Sequence, residues 1–170
     1  HDNLNNDFEI ISGIPRFVKK NNYAKNFGFQ WNNFSSTQID NENFNLSYNR
    51  FVSQTQKKME FFNNKNILEV GSGAGRFTNV LLKNSTVNLH SVDLSNAVEA
   101  NKKNNLKFFN KNLFLYQANA YKLPFKDNTF DYVFCFGVLQ HTPNVEKTIY
   151  NLINKAKKNS EIVVDFYPIK

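Results

Sequence analysis

The sequence predicts an α/β chain, a doubly wound parallel sheet with helices covering both faces. Three observations predict it. Short apolar runs recur at residues 67–70, 87–93, 112–117, 132–136 and 160–167, and the stretches between them carry helical periodicity. Residues 132–136 are apolar without a break, which suits a strand buried on both faces. The first run stops at Gly71-Ser72-Gly73-Ala74-Gly75, and Phe77, Val80, Leu81 and Leu82 follow at helical spacing, so strand, glycine turn and helix come in succession.

A length of 170 residues suits one domain with its own core. Hydrophobic residues make up 41%, with 18 Phe, which excludes a largely disordered chain. No apolar run approaches the roughly 18 residues of a membrane span, and the polar, Asn-rich start has no secretory apolar region. The lone Cys135 rules out an internal disulfide and agrees with a reducing cytosol, so a cytoplasmic location is expected. The net charge of +7 is spread over pairs such as Lys19-Lys20, Lys57-Lys58, Lys102-Lys103 and Lys157-Lys158. With no long basic block, the charge reads as general lysine abundance and not as a nucleic-acid footprint.

The glycine turn carries the chemistry. Glycines take positive φ and let a ligand approach the backbone, and the amides that open the next helix favour negative charge. A dinucleotide fingerprint would read G-x-G-x-x-G. Here the spacing is G-x-G-x-G, Arg76 stands where the third glycine would fall, and Glu69 lies two residues before the first. A carboxylate there would repel a pyrophosphate and suits a ligand with an ammonium or sulfonium group. These residues resemble motif I of the class I methyltransferases, which bind S-adenosylmethionine. Asp93 ends the second strand about 20 residues after the turn, the spacing of a ribose-binding acid; Ser95 offers an N-cap for the helix that follows.

The resemblance extends along the chain. Ala118-Asn119-Ala120-Tyr121-Lys122-Leu123-Pro124-Phe125 is similar to a methyltransferase segment whose acid receives the adenine amino group, except that Asn119 stands in the acid's place and offers an uncharged acceptor. Phe130-Asp131-Tyr132-Val133 through Val138-Leu139-Gln140-His141 resembles the fourth-strand segment, and lacks the Asn/Asp-Pro-Pro-aromatic tetrapeptide of enzymes that methylate nucleobases. Nucleic acid is therefore disfavoured as a partner. Gly13-Ile14-Pro15-Arg16-Phe17-Val18, Asn22-Tyr23-Ala24, Phe27-Gly28, Gln30-Trp31 and Thr37-Gln38-Ile39-Asp40 resemble the lead-in of bacterial small-molecule methyltransferases of the type 11 subgroup, sugar- and lipopolysaccharide-associated members included. A zinc ribbon that precedes this segment in some relatives has no cysteines here.

The resemblance implies a Rossmann-like sheet of strand order 3-2-1-4-5, with residues 1–62 as lead-in and helical lid and 63–170 as the cofactor-binding core. Helices are expected over 23–31, where aromatics recur, and over 51–62, with a loop at 34–45; later helices are expected over 95–109, with a Lys/Asn-rich exposed face, and from a Thr142 or Asn144 cap to about residue 158. The chain reads as stopping after its fifth strand, with strands 6 and 7 missing and a bare edge that a second copy or a C-terminal segment would cover. The expected cofactor contacts are Glu69, Gly71, Ser72, Gly73, Gly75, Arg76, Asp93, Leu94, Asn119, Ala120, Phe136 and Arg50. His141 is the candidate proton acceptor, while Tyr23, Gln30, Trp31 and Gln38 are candidates for the acceptor pocket. The implied activity is methyl transfer from S-adenosylmethionine to an oxygen or nitrogen of a small, sugar-like or anionic metabolite, leaving S-adenosylhomocysteine and using no metal. A cofactor-binding module without turnover is the alternative, and a nicotinamide-dependent oxidoreductase is disfavoured by the glycine spacing.

Overall fold

The computed structural model describes residues 8–18, 25–34 and 37–166. A hairpin of β1 (Glu9–Ile11) and β2 (Ile14–Arg16) precedes two lead-in helices, α1 (Lys25–Asn33) and α2 (Leu46–Thr55). Strands and helices then alternate as β3 (Asn66–Val70), α3 (Arg76–Asn84), β4 (Asn88–Asp93), α4 (Ala97–Asn104), β5 (Leu113–Gln117), β6 (Phe130–Cys135), α5 (Val145–Lys155) and β7 (Ala156–Val164). Among the described residues no helix is long and apolar enough to cross a membrane.

The sheet has seven strands in the order β1-β2-β5-β4-β3-β6-β7. The expected order of five strands with two missing is thus corrected. The two additional strands come from the N-terminal hairpin, whose β2 runs parallel to β5 and whose β1 pairs antiparallel at the edge. Residues 8–17, apolar residues mixed with Gly13 and Pro15, read as an extended entry segment or short strand, but their pairing with β5 is non-local and could not be read. Buried Arg16 fixes the hairpin, donating to Gln117 at 2.9 Å and pairing with Glu99 of α4. The remaining neighbours, from β5 to β7, are all parallel.

Several helices are shorter than their apolar patterns suggest. The expected helix over 51–62 instead begins at Leu46 and ends at Thr55, because Gln56 turns left-handed (φ 55) and its amide closes on Val52; Met59–Phe62 forms a separate 3-10 turn. Likewise α4 stops at Asn104, and a 3-10 turn at Leu106–Phe108 completes the expected stretch. Asn144 caps α5 by accepting from the Lys147 amide, but α5 ends at Lys155 and β7 starts at once. The bulge opposite Phe130 and Tyr132 absorbs the residues between Ala156 and Glu161.

Apolar side chains fill both faces of the sheet. One cluster gathers Phe51, Phe62, Phe77, Phe134 and Phe136, and the other gathers Leu68, Val70, Val133, Leu139 and Leu152. Phe51 of α2 is fully buried, with ring centroids 5.4 Å from Phe62, 5.9 Å from Phe77 and 5.3 Å from Phe134. It joins α2 to α3 and to the central sheet. Phe51→Ala should therefore cost about 3–5 kcal/mol of unfolding free energy, read as a fall in the urea midpoint; a loss under about 1 kcal/mol would deny Phe51 this role.

Candidate functional site

Strands β3, β4 and β5 progress to one side of the sheet, and β6 and β7 return on the other, so the order reverses between β3 and β6. At such a reversal the loops leaving the carboxyl ends of the strands diverge and leave a crevice. A cavity of about 320 Å³ opens there, within the range of small-molecule sites. It is lined by the turn residues Gly71, Ser72, Gly73, Ala74 and Arg76, by Phe77, by Asp93 at the end of β4 and Leu94 after it, by Phe136, Gly137 and Val138 after β6, and by His141 and Thr142. Trp31, Gln38 and Arg50 close it from the lead-in helices and their connection.

The turn has the backbone that its glycines permit. Gly71 and Gly75 have φ of +83 and +84, and a Cβ on them would overlap Val138 and Asn101 respectively. Gly75 is the N-cap of α3 and, having no side chain, takes none of the helix's first amides; the Thr78 amide is on Glu69, and Arg76 and Phe77 line the cavity. Helix α1 lies close above: a Cβ at Gly28 would come within 3.0 Å of the Asn96 nitrogen, and the Trp31 indole nitrogen would lie 3.3 Å from a Cβ at Gly73.

Asp93 Oδ2 accepts from the Gly73 amide at 2.9 Å, and Oδ1 accepts from the Ser95 amide and hydroxyl at 2.8 and 2.7 Å. Burial raises its pKa, and the bonds from Ser95 and Gly73 oppose that rise. The N-cap of α4 is Asn96 and not the expected Ser95, whose hydroxyl, one residue earlier, accepts from the Ala97 amide at 3.1 Å. The Ser72 hydroxyl is buried at the cavity wall without a protein partner. An amide-rich turn, a carboxylate and an unused hydroxyl on one wall fit an adenosyl ligand with ribose hydroxyls and an amino-acid tail.

Not every expected contact converges here. Glu69, Gly75, Asn119 and Ala120 lie off the cavity wall. Glu69 points into the protein: its Oε2 accepts from the Thr78 hydroxyl at 2.5 Å and from Ser91 at 2.7 Å. Asn119 is turned back to accept the Tyr121 amide, and the Ala120 carbonyl accepts from Asn151. Exposed Gln30 is also off the wall, and Tyr23 lies outside the described residues. Arg76 donates to Gln38 at 3.1 Å and stacks over Phe77, while Arg50 pairs with Asp165 at 2.8 Å. Asp165 escaped notice in the sequence. It also accepts from Gln54 and from the Gly137 amide, and the signal for it was present: like Asp93, it is an acid at the end of an apolar stretch. No group of three or more His, Cys, Asp or Glu able to hold a metal occurs among the described residues.

Burial lifts Glu69 from an ordinary 4.5 to about 7, with the Thr78 and Ser91 hydroxyls pulling down and Asp93 adding to the rise. Because the unfolded carboxyl ionises lower, the folded state holds the proton more tightly. That stability is present in full below about pH 4.5 and is lost as pH rises through about 7. From about pH 5 to 8 the wild type should lose on the order of 3 kcal/mol relative to Glu69→Gln. Urea unfolding across that range reads the difference, and parallel profiles would exclude it.

A methyltransferase-domain family model matches residues 68–164. Phosphoethanolamine N-methyltransferase 2 of Caenorhabditis elegans is 26% identical over 116 residues, covering 64% of this chain and 25% of that protein. The chain thus spans a quarter of this relative's length. Among solved structures, a Methanococcus maripaludis protein provisionally described as an S-adenosyl-L-methionine-dependent methyltransferase superposes with a TM-score of 0.67 at 17% identity, over 86% of this chain and 65% of that one. Haemonchus contortus phosphoethanolamine N-methyltransferase 2, solved with phosphomonomethylethanolamine and S-adenosylhomocysteine, superposes with a TM-score of 0.63 at 21% identity, over 77% of this chain and 32% of that one. These likenesses establish the Rossmann-like fold, and the family match over more than half of the chain's length establishes that the chain belongs to the methyltransferase-domain family.

Proposed function

We propose that the chain binds S-adenosylmethionine in the cavity between β3, β4 and β6 and transfers its methyl group to an oxygen or nitrogen of a small anionic metabolite. The observation that carries this reading is the meeting of the glycine turn and Asp93 on one wall, with the Gly73 amide already on the carboxylate. In it, residues 63–170 are the cofactor-binding core and residues 1–62 the lead-in and lid, in a cytoplasmic protein. Asp93 takes the ribose hydroxyls, Leu94 and Phe136 flank the nucleoside, and the amides of Ala74, Arg76 and Phe77 face the carboxylate of the methionine portion. The sulfonium supplies an activated methyl group, so the protein's task is to hold the nucleophile in line and keep water out. Trp31, Gln38 and Phe77 do the second.

An anionic acceptor is favoured because two arginines, Arg50 and Arg76, reach the same wall. The nematode proteins named above, phosphoethanolamine N-methyltransferases by name, support the same acceptor class at a distance. His141, exposed at the cavity rim, is placed to take the proton that a hydroxyl or ammonium nucleophile gives up.

Calorimetric titration should show S-adenosylmethionine and S-adenosylhomocysteine binding while NAD does not; binding of NAD alone would overturn the reading. Asp93→Ala should weaken S-adenosylhomocysteine by at least tenfold, since a charge-assisted pair of hydrogen bonds is lost. With labelled cofactor and phosphoethanolamine as the first acceptor probe, His141→Ala should lower kcat about a hundredfold at unchanged cofactor affinity. An unaltered kcat would remove His141 from the chemistry.

A further inference from the structure

The glycine turn is gripped from behind by side chains that never reach the cavity. Asn104 Nδ2 donates to the Ala74 carbonyl at 2.8 Å, and Asn105 Nδ2 donates to the Gly75 carbonyl at 3.2 Å. Asn105 is fully buried; its Oδ1 accepts from Asn79 at 2.9 Å, and its Nδ2 also reaches Asn101 Oδ1 at 2.9 Å. Asn101, equally buried, donates to the hydroxyls of Thr78 and Ser91, the two groups that hold Glu69. One polar chain therefore starts on β3, crosses α3, β4 and α4, and ends on the Gly75 carbonyl, with Asn104 holding the Ala74 carbonyl beside it.

Such a chain is costly to bury unless its members satisfy one another, and its end point has a geometric consequence. In a trans peptide the carbonyl and the amide point in opposite directions. The unit between Ala74 and Gly75 is pinned at both ends: its carbonyl is on Asn104 and its amide on the Ser72 carbonyl. The next unit has its carbonyl on the Asn79 amide and on Asn105, which turns the Arg76 amide away from α4. Asn104 and Asn105 thus add a side-chain hold to two units that each have one backbone bond, and limit how far either can rock.

Taking the adenosylmethionine reading as its basis, we propose that Asn104 and Asn105 are positioning residues for the cofactor. By holding the Ala74 and Gly75 carbonyls against α4, they fix the backbone from which the Arg76 amide is aimed into the cavity and so set cofactor affinity without touching the cofactor.

Asn104 is the position to test, because it is only half-buried and its replacement leaves the inner network in place. Asn104→Asp keeps the shape and removes the donor; Asn104→Leu removes the donor with little change in volume. Both should raise the Kd for S-adenosylhomocysteine and the KM for S-adenosylmethionine about fivefold to tenfold, leave kcat at saturation within about twofold, and speed amide exchange at residues 75–77 of the free protein. Asn104→Gln, which can still reach a carbonyl with its amide, should recover most of the affinity. Wild-type affinity and exchange in both donor-free variants would overturn this inference alone. A fall in kcat at unchanged KM would overturn it too. Failure of the wild type to bind either adenosyl compound would overturn it together with the reading on which it rests.

Discussion

Two segments distant in sequence press on the glycine turn from opposite sides, and the site depends on that squeeze. Val138, after β6, occupies the space a side chain on Gly71 would need, and Asn101 of α4 occupies the corresponding space at Gly75. Both glycines have φ near +80, where an ordinary residue pays a steric penalty even in open space. The turn is thus fixed relative to β6 and to α4 at once. Only then can the Gly73 amide meet Asp93 at 2.9 Å, because β3 and β4 run in register from Asn66↔Asn88 to Val70↔Val92 and deliver turn and acid to the same level. Trp31 completes the arrangement by lying across the middle glycine, Gly73.

Glu69 shows how an acid can serve a ligand site from outside it. As one of the most buried charged residues of the chain, it sits among hydroxyls and amides rather than beside a cation. Hydroxyls stabilise a buried carboxylate less than a paired charge does, which is why desolvation wins and its pKa climbs. Its neighbours Thr78 and Ser91 lie on α3 and β4, and Asn101 binds both hydroxyls in turn. The acid thereby anchors the polar layer that joins the central strands to the helices beneath the turn.

Local signals made much of this legible in the sequence, and non-local ones hid the rest. The turn, Asp93 and the unbroken apolar β6 could be read because each is written within a few consecutive residues. The direction of the Glu69 side chain could not: a strand residue alternates between faces, and only the partners on α3 and β4 reveal which face holds polar groups. Asn119 misled for the same reason, since its side chain turns back on its own backbone at Tyr121, a local bond that competes with any distant one. Asn101 and Asn105, in a Lys/Asn-rich stretch, carry no local mark of burial. Their burial becomes intelligible only with Gly75 beside them. The hairpin at the start of the chain was similarly opaque, because Arg16 finds Gln117 and Glu99 far along the sequence.

Asp165 explains why β7, at the far end of the sequence, bears on the cavity. Its carboxylate follows the last pairing of β7 with β6, at Cys135↔Val164, and collects the Gly137 amide, Arg50 and Gln54. Gly137 belongs to the loop that supports Gly71 through Val138, whereas Arg50 and Gln54 belong to α2. One acid therefore ties the lead-in helix to the loop on which the glycine turn rests. Phe51, between Arg50 and Gln54 in α2, makes the apolar counterpart of that tie by packing on Phe77 and Phe134. Polar and apolar contacts thus come from one helical segment and fix the same helix over the same corner of the sheet. With Arg50 held there, the cation of the lead-in stands at the cavity wall in a defined place before any ligand arrives, and less ordering entropy opposes binding than a free side chain would impose.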